Sequence, residues 1–156
     1  MDTLMSIVIF FHVIAATMFA MTLIIMQLVV SPALAKIPGG PEKEAASAVI
    51  QNRWHPIVDT VIIILDITGL ILLLTRWHLI GTNIILHVKV TFGIIALLCA
   101  NLLHFYYRGY KRKLKAQGNV ERLAAINRLT EILEKTALIT GVLAFISGIT
   151  FNHSPF

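Results

Sequence analysis

Four apolar stretches, residues 5–30, 56–75, 83–103 and 129–151, dominate the chain. Each meets the requirement of about 20 residues, at 1.5 Å rise per residue, for a helix to cross the hydrocarbon core of a bilayer. Of the 156 residues 57% are hydrophobic and 13% charged, where a soluble domain carries about 25% charged residues. A soluble enzyme or nucleic-acid-binding domain is therefore excluded, despite the net charge of +5. The spans leave little chain for anything else. The expected architecture is all-α, a four-helix transmembrane bundle forming a single membrane domain over residues 1–156.

The placement of the charges orients the bundle. Lys36, Lys43 and Arg53 fall between spans one and two. Arg108, Lys111, Arg112, Lys113, Lys115, Arg122, Arg128 and Lys135 fall between spans three and four or at the start of span four. Those two connections share one side of the membrane, and the opposite side has only Arg76. The positive-inside rule makes the basic side cytoplasmic, both termini external, and the location the cell's inner (cytoplasmic) membrane. Residues 31–35 resemble a signal-peptide cleavage site. However, the N-terminus carries Asp2 and no basic residue, and the apolar run exceeds a signal's usual 7–15 residues, so span one reads as uncleaved.

Punctuation fills in the rest. Pro32 and then Gly39–Gly40–Pro41 are expected to end the first helix, and residues 42–53 to form a separate interfacial helix. Pro56 fits the first turn of span two. A short external turn over residues 76–82, containing Gly81, makes spans two and three antiparallel neighbours. Tyr106, Tyr107 and Tyr110 beside the basic run 108–115 read as an interfacial belt, where lysines and arginines meet anionic headgroups or an acidic partner. Residues 119–128 read as an amphipathic helix merging into span four.

Chemistry is concentrated in the few polar residues inside the spans. A basic residue at the depth of Lys89 costs roughly 2.5–3.5 kcal/mol on insertion scales, so it calls for a partner. From the outer ends, His12 lies ~10 Å down its span, Asp66 ~13 Å, His87 ~6 Å and Lys89 ~9 Å, one common layer. An Asp66–Lys89 ion pair is the simplest way to satisfy both charges. His55, Asp59 and Asp66 fall within about 40° on one helical face. Lys89 and His104 share a broader face, and His55 and His104 make a second candidate pair near the cytoplasmic ends. Glu131 and Lys135 form an i,i+4 surface pair; Glu134 has the alternative of an interior base. Cys99, the single cysteine, reads as an apolar packing residue.

Histidines at matched depth on facing helices suit non-covalent haem b, with neutral imidazoles as axial ligands. Phe10, Phe11, Phe19, Phe92, Met18 and Met21 supply walls for the slot. No Cys-x-x-Cys-His attachment site is present. Copper competes for some of the same residues, because His78, His87, His153 and Met1 or Met5 gather towards the external face. A structural subunit of a larger complex is a third reading.

The pattern Phe11–His12–Val13, Leu86–His87–Val88–Lys89, His104 fifteen residues on, and Asn127–Arg128–Leu129–Thr130–Glu131 entering span four resembles the HemJ-type protoporphyrinogen oxidases. More loosely, it resembles the copper-resistance D membrane domain. The family's Trp-Gly after the first histidine is replaced here by Thr17–Met18–Phe19–Ala20, and no proline follows Glu131. The resemblance implies a four-helix membrane protein that binds haem b. His12 would match the family's essential histidine, and Lys89 its essential lysine. The resulting expectation is a redox protein, either electron-transferring or oxidising protoporphyrinogen IX. His12 and His87 are the metal ligands; His55, His104 and Arg76 join them in holding cofactor. Lys89 and Asp66 are the catalytic pair, with Lys89 beside a haem propionate or substrate. Expected partners are the lipid bilayer, a quinone or other redox partner and a second copy of the chain, but no nucleic acid.

Overall fold

A computed structural model describes residues 3–80 and 83–153, and the chain there is helical almost throughout. Five helices follow in order: α1 (Thr3–Lys36), α2 (Pro41–Thr75), the single turn α3 (Trp77–Ile80), α4 (Ile84–Ala116) and α5 (Val120–His153). Four of them are long and apolar enough to cross a membrane. Large apolar side chains point outward along them, among them Leu74 at 71% exposure and Leu28 at 69%, which suits lipid as the surrounding medium. Several hydroxyls on these helices are satisfied locally. Thr17, Thr60, Thr75, Ser147 and Thr150 each donate to the carbonyl four residues earlier, so they add no unpaired donor to an apolar environment.

The chain divides into two compact units, residues Met1–Thr75 and Arg76–Phe156. In the first, α1 and α2 form an antiparallel hairpin closed by a tight break. Ile37 is extended before Pro38, as pre-proline residues tend to be. Gly40 adopts φ 134°, and Pro41 then opens α2. The seam buries Ala15, Phe19 and Ala20 from α1 and Val58, Val61, Ile62 and Leu65 from α2.

Two expected boundaries are corrected here. Pro32 does not end the first helix, which runs on to Lys36, and residues 42–53 are no separate helix but the first third of α2, continuous through Pro56. Both prolines follow a π-helical stretch, Met26–Val30 in α1 and Ile50–Trp54 in α2. The wider turn re-routes backbone hydrogen bonds where a proline removes a donor and crowds the carbonyl four residues back. The two widened turns lie side by side, since Met26 and Val30 line the same shallow groove as Ile50 and Trp54.

In the second unit α4 and α5 pack along their lengths. Asn83 starts α4 as an N-cap, its Oδ1 accepting from the N–H groups of Ile85 and Leu86 at 3.0 and 3.1 Å. Of the expected external turn, Arg76 is a bend and Trp77–Ile80 a helical turn, while Gly81 and Thr82 lie outside the described residues. The α4–α5 seam is built from small residues. A Cβ on Gly93 would meet the Ala144 Cβ at 4.0 Å, and one on Gly148 would meet Lys89. Continuing that antiparallel register by three and then four residues sets Ala96 against Gly141 and Ala100 against Ala137, all buried. Small residues let helix backbones approach closely, the usual basis of association in lipid. α4 continues through a π-helical stretch, Leu102–Tyr107, into the basic segment Arg108–Ala116. Gly118, at φ 64°, turns the chain, and Asn119 Oδ1 caps α5 at the Arg122 N–H. As expected, residues 119–128 merge into the fourth span.

Candidate functional site

His12 is placed by α1 at the α1–α2 seam, one turn before the buried Ala15. Its Nδ1 lies 3.0 Å from Thr68 Oγ1 on α2. Thr68 Oγ1 in turn donates to the Ile64 carbonyl at 2.6 Å, which uses its only proton. The hydroxyl must therefore accept from His12, so Nδ1 carries a hydrogen. This is how protein metal ligands are commonly oriented: one ring nitrogen donates to an oxygen, and the other is presented as base or ligand. Gly69 completes the arrangement, since a Cβ there would lie 3.7 Å from His12 Cε1. Thr68, 8% exposed, thus fixes the ring through Nδ1, and Gly69 gives it space.

The acidic stripe of α2 flanks that seam. His55, Asp59 and Asp66 are half-buried, and Ile62, on the same face between them, is 0% exposed. Asp66 is two residues from Thr68, so it shares the level of His12 in this unit. Of the proposed slot walls in α1, Phe19 is buried, while Phe10, Phe11, Met18 and Met21 are exposed.

Lys89 belongs to the second unit. Its aliphatic stem lies across Gly148 of α5: a Cβ at that position would meet Lys89 Cε at 3.2 Å, Nζ at 3.4 Å and Cδ at 3.6 Å. A lysine this deep has no side-chain carboxylate of its own unit nearby. The acids of residues 76–156 are Glu121, Glu131 and Glu134. Glu134, the nearest along α5, is fourteen residues from Gly148, or about 21 Å of helix.

The other expected residues are placed as follows. His87 is exposed, two residues and so about 200° around α4 from Lys89. His104 is half-buried in the π-helical stretch, and Arg76 is half-buried at the bend before α3. His78 is exposed on α3, whereas Met1 and the His153 side chain lie outside the described residues. Among the described residues no three His, Cys, Asp or Glu side chains gather as a metal-binding group. Cys99 is buried, as its packing role requires, and Lys135 Nζ meets Glu131 at 2.7 Å in the expected surface pair.

Sequence reasoning overlooked Thr68, Gly69 and Gly148. Each is an ordinary lipid-compatible residue, and its role lies in which side chain crosses it. No protein-family model, curated protein or solved structure matches the chain.

Proposed function

We propose that this is an integral membrane b-type haem protein with a redox role, either electron transfer or a HemJ-like oxidation of protoporphyrinogen IX. The observation that carries the reading is the His12–Thr68–Ile64 relay, which holds the His12 ring by its Nδ1 on a seam between two spanning helices. An imidazole oriented by an oxygen acceptor at one ring nitrogen fits an axial ligand. Bound haem would supply a one-electron couple. The chain's own residues orient and balance it: His12 ligates, Thr68 fixes the ring, and Lys89 presents a cation to a propionate or substrate carboxylate. Asp66 is the candidate counter-charge, and His87, His55, His104 and Arg76 are the further candidates for holding the group. On this reading the basic ends face the cytoplasm, the membrane is the inner one, and a quinone is a suitable acceptor.

An absorption spectrum of the purified full-length protein tests this. A Soret band with reduced α and β bands is expected, lost in His12→Ala. Thr68→Val, which keeps the side-chain shape and removes the acceptor, should weaken haem retention by about 10–100-fold, the usual cost of losing such a partner. A colourless protein, or one whose spectrum survives His12→Ala unchanged, overturns the proposal.

A further inference from the structure

The segment Arg108–Ala116 carries Arg108, Lys111, Arg112, Lys113 and Lys115, and no acidic residue occurs from Leu102 to Val120. At 100° per residue Arg108, Lys111, Arg112 and Lys115 fall within about 100° of the helix circumference. Leu114, 3% exposed, lies outside that arc and anchors the segment. The patch is also held in place. Lys111 Nζ donates to Thr130 Oγ1 of α5 at 2.6 Å, tying the segment across the hairpin. Tyr106 stacks on Tyr110 with centroids 6.1 Å apart and meets Tyr107 edge-on at 5.1 Å, a cluster of the kind found at headgroup level. Arg112, Lys113 and Lys115 remain exposed. The Glu134 carboxylate of α5 acts on Lys111 at the edge of this face, and the exposed cations Arg112 and Lys115, on a helix directly continuous with a spanning one, are complementary to the phosphates of the leaflet it emerges from.

We propose that Arg112 and Lys115, on the helical face they share with Arg108 and Lys111, form a binding surface for anionic phospholipid headgroups. The surface selects phosphatidylglycerol-type lipids over zwitterionic ones.

Native mass spectrometry of the full-length protein, equilibrated with equimolar phosphatidylglycerol and phosphatidylcholine in detergent, reads the selection directly. The wild type should retain the anionic lipid at least tenfold more often. Arg112→Gln with Lys115→Gln, both exposed, should lower that preference by up to about thirtyfold, given the electrostatic attraction per removed cation. The charge-matched control Arg122→Gln with Arg128→Gln, on exposed positions of α5, should leave it within about threefold. Unchanged helical circular dichroism in both variants excludes misfolding as the cause of a loss. Equal retention of the two lipids by the wild type overturns the proposal and turns the face towards an acidic protein partner. An equal loss in both double variants also overturns it, since net charge and not this surface would then be responsible.

Discussion

Replacing Gly148 by alanine isolates the contact that holds Lys89. An alanine in a helix interior gains about 1 kcal/mol over glycine, and that gain applies equally to Gly148 and Gly93. The surroundings differ. At Gly93 the nearest neighbour of a new methyl is the Ala144 Cβ at 4.0 Å, an ordinary contact, so the gain is kept. At Gly148 the methyl would stand 3.2 Å from Lys89 Cε and 3.4 Å from Nζ, so the lysine must give by a few tenths of an ångström. With Lys89 held by the packing around it, crowding its stem off its rotamer costs about 0.5–1.5 kcal/mol, enough to offset the helix gain. Gly93→Ala should therefore stabilise the protein while Gly148→Ala leaves it near neutral, a difference of about 1 kcal/mol, or roughly fivefold in the unfolding equilibrium. Reversible unfolding in mixed micelles titrated with dodecyl sulfate, followed by circular dichroism, reads both values. In a Lys89→Ala background the obstacle is gone, and Gly148→Ala should recover its full gain, a coupling of about 1 kcal/mol in the double-mutant cycle. If Gly148→Ala stabilises as much as Gly93→Ala, or if the two substitutions simply add, Lys89 does not lie over Gly148.

Two further outcomes test the second unit. Ala137 is 0% exposed on the small-residue seam, so Ala137→Leu should force α4 and α5 apart and destabilise by about 1–3 kcal/mol in the same titration. Asn83→Ala removes the acceptor for two backbone N–H groups at the start of α4; about 1 kcal/mol is expected, with faster hydrogen exchange confined to Ile85 and Leu86.

The spanning helices were legible in the sequence because a bilayer imposes a length and a polarity that few other contexts demand. The i,i+4 pair of Glu131 and Lys135 and the helix over residues 119–128 were legible for a similar reason, since both depend on neighbours a few residues away. The helix ends near Pro32 and Pro56 were misread because local propensity assigns proline a break. That rule does not include the widened turns that absorb each one. The partner of His12 was hidden for a different reason. Thr68 is separated from it by 56 residues, and only the registration of α1 on α2 brings them together. The glycine under Lys89 was hidden likewise, 59 residues away on the other helix of its hairpin.

That registration has a consequence for how the first hairpin tolerates change in length. A π-helical turn holds roughly one residue more than the α-helical turn it replaces, and α1 and α2 each contain one at the same level. Each widened turn takes up its own surplus residue, so the helix beyond it keeps the face it would have had in an unbroken α-helix, and His12 still arrives at Thr68. Losing a single residue from Met26–Val30 would close that turn to α-helical geometry and leave the histidine on its acceptor. The same loss between Ala15 and Ala20, where no turn is widened, would rotate everything on one side of it by about 100° and carry the histidine away. The hairpin has slack in length at the level of its widened turns that the rest of the seam lacks.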